Sequence, residues 1–290
     1  MAPTVQALAA SDIQERQQVS AASFKPSVYG PSSEDIARAR AELERIKNEK
    51  GWLEPDRGNL DAPGIDWREG KPDYTIANLA YFRGKTKNHP AGSLELVVEN
   101  LVKTWEMEAS HKPFSQWGTV AHAKYAVSAN GGRVFRGEEA ASRGNYNVLL
   151  SACPRNLYDA EAETFESSHA HFRGAFPGGF PWEVLEVYSG PPKVAFSWRH
   201  WATFAGEYEG NKGTGETVNM TGFAVVTLED MKVTTIEVYY DPVIFLEVIR
   251  GMKKPGELPP HGVALGAPLL SEAEGGCPFM GAARKVEVAA

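Results

Sequence analysis

Cysteine is nearly absent: Cys153 and Cys277 are the only two in 290 residues. Widely separated thiols fit neither a zinc-site spacing nor a disulfide framework, so a reduced, cytoplasmic setting is expected. No apolar run approaches the roughly 20 residues a membrane span needs. The opening MAPTVQALAASDIQERQQ has no basic stretch followed by an apolar core, so neither secretion nor insertion is expected. Excess positive charge is also missing, with 30 Lys and Arg against 37 Asp and Glu, a net charge of −7. Without a basic footprint, nucleic acid and anionic membranes are poor partners, and a small molecule is the expected one. Gly-x-Ser-x-Gly, Walker and dinucleotide motifs do not occur, which ranks serine hydrolase, P-loop and Rossmann chemistry below acid–base chemistry without a cofactor.

What is present is an apolar fraction of 42%, ample for a core, arranged in blocks of different texture. Residues 1–32 are rich in Ala, Ser, Gln and Pro and read as an arm. Ser33 can cap a helix whose Ile36, Ala39, Leu43 and Ile46 share a face, stopped by Gly51. From Trp52 to Pro90 no period is sustained, and the short patch ANLAYF sits in what reads as an irregular extension. Ser93 can cap a second helix that buries Leu94, Val97, Leu101 and Trp105. A strand within QWGTVAHAKYAVSANGG ends in a turn at Asn130-Gly131-Gly132, and helices follow over about 137–150 and 160–175.

From Pro181 the pattern is all β. The segments WEVLEVY, KVAFSWRHWATF, ETVNMTGFAVVTL and KVTTIEVYY are separated by the turn sequences SGPP, GNKGTG and EDM. Helices first and an antiparallel meander afterwards predict an α+β fold. The expected division is an N-terminal extension over 1–91, the α+β domain over 92–251, and a Pro- and Gly-rich tail over 252–290.

Alternation along the last strand places Glu237, Tyr239 and Asp241 on one face and Ile236, Val238 and Tyr240 on the other. A carboxylate at a sheet end among aromatics suits a general acid or base, because desolvation raises its pKa. The same Asp241 precedes Pro242 and can simply cap PVIFLEVIRG. In β-segment SWRHWATF, Trp198, His200 and Ala202 alternate with Arg199, Trp201 and Thr203. His200 is the histidine placed to serve an oxyanion or relay a proton, or to rest hydrogen-bonded in the sheet. His169 and His171 project about 200° apart on a helix, so they cannot share a metal there. Glu166 and His169, three apart, share a helix face and form a plain pair. FPGGFPW reads as a turn, and Cys277-Pro278-Phe279 as only a faint echo of a thiolate haem contact.

The stretches FRGAFPGGFPWEVLEV, KVAFSWRHWATFAGEYEGNKGTGETV and IEVYYDPVIFLEVI resemble the SnoaL-like branch of the NTF2-like superfamily over about 160–251. GSLELVVENLVKTWEMEASHK, ETFESSHAHFRGAFPGGFPWEVLEVYSGPP and WRHWATFAG extend the resemblance, over about 73–251, to the plant and fungal pathogen-related protein group. That resemblance implies a cone-shaped barrel of curved antiparallel sheet with helices packed on it. It also implies a cofactor-independent polyketide cyclase closing an aldol or lactone ring, with Asp241 as the acid–base residue. His200 would assist, and Glu237, Tyr239, Trp198, Trp201 and Phe204 would line the site. Phe204 stands where the family often has a histidine. A polyketide-like substrate, a cytoplasmic homodimer and no metal are what the resemblance leads one to expect, with a non-catalytic binding protein, a dehydratase or an isomerase as alternatives.

Overall fold

A computed structural model describes residues 32–253. The arm before Ser32 and the tail that carries Cys277 lie outside the described residues.

Helix α1 (Ser33–Lys50) starts one residue earlier than the sequence suggests. Ser32 is the cap: its hydroxyl accepts from the Asp35 amide and its own amide donates to the Asp35 carboxylate, each at 3.1 Å. Gly51 ends the helix at φ 65°, a left-handed conformation that glycine adopts without strain. The patch ANLAYF, expected to be irregular, belongs to helix α2 (Thr75–Gly84). It is short and lacks a side-chain cap at Tyr74, so neither periodicity nor a cap marks it in the sequence.

Helix α3 (Leu94–His111) is capped as expected, the Ser93 hydroxyl accepting from the Leu96 amide at 3.2 Å. Its buried face is rotated from the predicted stripe. Val98, Trp105 and Ala109 are inside, whereas Leu94 and Val97 are exposed. The rotation brings Glu99 and Lys103 into the interior.

After a 3-10 turn at Phe114–Gln116 come β1 (Ala126–Ala129), the turn at Asn130 (φ 52°) and β2 (Phe135–Arg136). The single helix expected over 137–150 is two, α4 (Gly137–Arg143) and α5 (Asn145–Leu149). Gly144 breaks it at φ 83°, and a Cβ there would lie 2.7 Å from the Phe165 ring. Helix α6 (Phe165–Ala175) has a capping box between Thr164 and Ser167.

The remaining strands are β3 (Trp182–Val187), β4 (Lys193–Phe204), the small pair β5 (Glu207–Tyr208) and β6 (Asn211–Lys212), β7 (Glu216–Glu229) and β8 (Lys232–Tyr240). Helix α7 (Val243–Ile249) follows. The main sheet runs β2-β1-β8-β7-β4-β3. The predicted meander β3-β4-β7-β8 is antiparallel, but β1 joins β8 in parallel, so the sheet is mixed. Bulges at Val184/Glu186 and Thr227/Leu228 bend it. It stays open, with β2 and β3 as edges, and so does not close into the expected barrel. The α+β architecture itself is as expected.

The inner face of β4 carries Val194, Phe196, Trp198, Ala202 and Phe204, all buried. Trp198 packs on Tyr240 with ring centroids 5.5 Å apart, and Phe180 packs on Phe245 at 5.6 Å. The outer face carries a second core. There Trp201 meets Ala39, Leu43, Leu79, Tyr81 and Phe82 of α1 and α2. Trp201 is therefore the apolar contact of the sheet's back with the extension. Trp201→Ala should cost about 3–5 kcal/mol, read as a lowered urea midpoint with faster proteolysis between residues 32 and 91. Unchanged protection of the extension would show that it docks by other means.

Candidate functional site

The residues proposed from sequence fall into separate surroundings. Asp241 is exposed, and its Oδ1 accepts the Val243 amide at 2.9 Å, the geometry of a helix cap. Glu237 and Tyr239 share a face as alternation required, but it is the outer face, where the Tyr239 hydroxyl donates to Glu237 at 3.1 Å, and Asp241 lies past the end of β8. This corrects the expected inward placement of all three: the inward positions of β8 belong to Ile236, Val238 and Tyr240, which fill the core.

Trp198 does face inward and is buried on Tyr240. His200, also inward, is partly buried, with its ring 3.7 Å from Phe180 and Nδ1–H donating to the Pro181 carbonyl at 2.7 Å. Burial pushes its pKa down to about 4, against the opposing pull of that hydrogen bond, so the ring is neutral at pH 7. Phe204 is fully buried in the main core. Trp201 lies on the opposite face, stacked with Tyr81 at 6.3 Å and carrying the Arg199 guanidinium at 4.0 Å. It belongs to the seam with the extension and not to the site predicted around Asp241.

Buried charge elsewhere divides cleanly by whether it is satisfied. Glu99 accepts from Lys103 at 3.0 Å, from the Val184 amide at 2.9 Å and from the Tyr81 hydroxyl. Glu183 accepts from Arg199 Nε at 2.7 Å, Thr86 Oγ1 at 2.9 Å and the amides of Thr86 and Lys87 at 2.8 and 3.0 Å. Glu108 accepts from Thr119 Oγ1 and the amides of Gly118 and Thr119. Lys103, pushed down to about 7 by burial although Glu99 opposes the shift, has its partner. These groups hold elements together.

A cleft of about 450 Å³ opens where α2 meets the sheet, lined by Ile76, Leu79, Arg83, Arg199, Trp201 and Asn219 among others. Its cations are already engaged. Arg83 forks onto Glu42, and Arg199 holds Glu183 and the Gly84 carbonyl. We read it as the docking seam of the extension.

Unsatisfied buried polar atoms point to a different place. Arg57 Nε, Tyr74 OH, His111 Nδ1 and His169 Nε2 are buried without a hydrogen-bond partner. They come from the extension, the end of α3 and the middle of α6. The Arg57 guanidinium sits 3.9 Å over the Tyr74 ring, Tyr74 meets His111 edge-on at 6.1 Å, and Tyr146 meets His169 edge-on at 5.0 Å. His169 is 2% exposed and stacks on Phe165 at 4.0 Å. Its Nδ1–H donates to the Phe165 carbonyl at 2.7 Å, which leaves Nε2 as a lone-pair acceptor.

Burial lowers the pKa of His169 to about 4 and also lowers that of His111, while it raises those of Tyr74 and Tyr146. The Glu106 charge acts on Tyr74, His111 and Tyr146. Arg173 and Glu69, paired across the surface, act in opposite senses on both histidines. These groups thus combine neutral imidazoles with protonated phenols and a guanidinium. A buried constellation of perturbed, unpartnered groups marks a functional site more sharply than a solvated carboxylate does.

The sequence reading reached only part of this set. His169 and His171 face opposite ways as helix geometry required, His169 inward and His171 toward Tyr208 at 5.8 Å. The expected Glu166–His169 pair is not formed: Glu166 is exposed and His169 bonds to its own helix. Arg57, Tyr74, Glu106 and His111 carry no shared spacing; the first two come from the extension and the last two from α3.

The molecule is therefore an α+β protein, with a curved mixed sheet, helices on its inner face, and a set of buried, unpartnered polar groups drawn from α3, α6 and an N-terminal extension. It is 37% identical over 223 residues to the pathogen-related protein of Hordeum vulgare, a match spanning 74% of this chain and 88% of that protein, and it belongs to the pathogen-related protein family. No family model matches the chain. Among solved structures it is similar to a SnoaL-like polyketide cyclase of a Jannaschia species, at 14% identity and a TM-score of 0.33 over 56% of this chain and 96% of that one. It is also similar to an LEH-like epoxide hydrolase of M. tuberculosis, at 12% identity and a TM-score of 0.30 over 55% and 90%. Among the described residues, no helix is long and apolar enough to cross a membrane.

His169 and His200 both titrate in the folded chain near 4 against an ordinary value of 6.5. Between those values the unfolded chain binds more protons, so stability rises with pH there. The stability is fully present above pH 6.5 and is lost as pH falls toward 4. The urea midpoint should fall from pH 7 to pH 5, and His169→Gln should flatten the slope; an equal slope in that variant would contradict the assignment.

Proposed function

We propose that these buried groups perform cofactor-independent acid–base chemistry on a small carbonyl-bearing molecule of the polyketide type, ending in ring closure. The supporting observation is His169, buried and neutral with an unpartnered Nε2, set among phenol donors. Nε2 takes a proton from a C–H or O–H next to a carbonyl, giving an enolate or alkoxide. The Tyr74 and Tyr146 hydroxyls, kept protonated by burial, and the Arg57 guanidinium hold the developing oxyanion. Attack of the nucleophile on a second carbonyl closes the ring, and the imidazolium returns its proton to the new alkoxide. Glu69 favours that imidazolium and Arg173 opposes it.

On this reading Asp241 keeps its capping role, and the sequence resemblance to SnoaL-like cyclases extends to the type of chemistry with different residues performing it. The protein works in the cytoplasm as a homodimer joined through the outer sheet face, where Tyr188 and Tyr239 are exposed beside Phe223.

The test uses a panel of poly-β-carbonyl compounds together with any small molecule that co-purifies. His169→Gln should lower kcat by about 10²–10⁴-fold, and Tyr74→Phe should lower it with little change in ligand affinity. Asp241→Asn should leave turnover near the wild-type value. Loss of turnover in Asp241→Asn with full activity in His169→Gln would move the chemistry to the sheet end. Tight binding with no turnover of any compound would make these groups a binding site only.

A further inference from the structure

We propose that Glu163, His171 and Glu209 bind one divalent cation of the zinc or manganese class where α6 meets the β5–β6 hairpin. One ligand atom from each lies within 4.8 Å of the others. His171 Nδ1 is 3.8 Å from Glu163 Oε1, too far for a hydrogen bond, and Nδ1 is buried without a partner. That spacing is wider than the roughly 3.4 Å between two ligands of a tetrahedral zinc site, so a bound metal would draw the two side chains slightly together. Ser167 Oγ donates to the other oxygen of Glu163 and fixes its orientation, as outer-shell partners of metal ligands do. Glu209 is held by Arg250, 2.9 Å away, which is itself anchored on the Leu157 carbonyl.

A second observation is Tyr208, which is fully buried and whose hydroxyl makes no close hydrogen bond, with the Arg250 guanidinium, Glu209 and Glu163 as its polar neighbours. Its ring meets His171 edge-on at 5.8 Å. One imidazole and two carboxylates leave open positions for water, and this donor set suits zinc or manganese. His171 faces away from His169, so the two proposals stand or fall separately.

The full chain, stripped with EDTA, is titrated with Zn²⁺ alone by calorimetry and with Co²⁺ alone by absorption. The wild-type chain should bind one equivalent, with affinity lowered about 10–100-fold in His171→Gln and in Glu209→Gln, unchanged in Glu166→Gln, and with a Co²⁺ spectrum free of thiolate charge transfer. Glu209 is on the surface hairpin, so its variant keeps the test open if His171→Gln fails to fold. Absent binding, binding unchanged in both ligand variants, or a thiolate band from a cysteine site would overturn the proposal.

Discussion

The free edge of β3 is the constraint on which the rest of the molecule depends. An open sheet leaves a row of unpaired backbone groups on its last strand, and exposed edges of that kind invite pairing with other chains. Here the edge is closed by side chains. Glu99 of α3 takes the Val184 amide at 2.9 Å, and His89 of the extension bonds the Val184 carbonyl at 2.8 Å. The preceding residue, Glu183, is fully buried and gathers the Thr86 and Lys87 amides together with Arg199. Two neighbouring residues of one strand thus bind the extension, α3 and β4 into a unit. Burying two carboxylates is tolerable because each is surrounded by donors, and removing a partner would leave a buried charge exposed to that cost.

With α3 pinned at Glu99, its C-terminal end carries Glu106 and His111, and the extension brings Tyr74 against His111 with Arg57 over the Tyr74 ring. The contrast between the two kinds of buried polar group follows from this arrangement. Groups at the sheet edge are paired with short-range partners and serve as fastenings. Arg57, Tyr74, His111 and His169 each keep a buried polar atom without a partner, and burial lowers the pKa of His169. Structural economy explains the first set and gives no reason for the second.

How far the sequence could be read depended on whether a signal was local. Ser93 with its apolar run, Thr164 with Ser167, and the strands from Trp182 to Tyr240 were readable because caps and alternation act over a few residues. Alternation also assigned Glu237 and Tyr239 to one face correctly. It could not say which face was inside, since a sheet covered on one side by core helices and on the other by an extension has two candidate interiors. Trp201 illustrates the same ambiguity: its apolar side chain is buried, but under Tyr81 and not in the main core. Helix α2 went unread because its apolar face, too short to show a period, is completed only by contact with α1 and the sheet.

By itself, the sequence determined the α+β order of elements, the antiparallel meander, the opposed directions of His169 and His171, and membership of a recognisable family, because each rests on periodicity or on strings of adjacent residues. Tertiary structure alone decided that β1 joins β8 in parallel, that the sheet stays open, that Asp241 faces water, and that Arg57, Tyr74, His111 and His169 each bury an unpartnered polar atom. Those outcomes depend on contacts between segments far apart in the chain, and burial, which sets the protonation state of every candidate group, is a property of the packed whole.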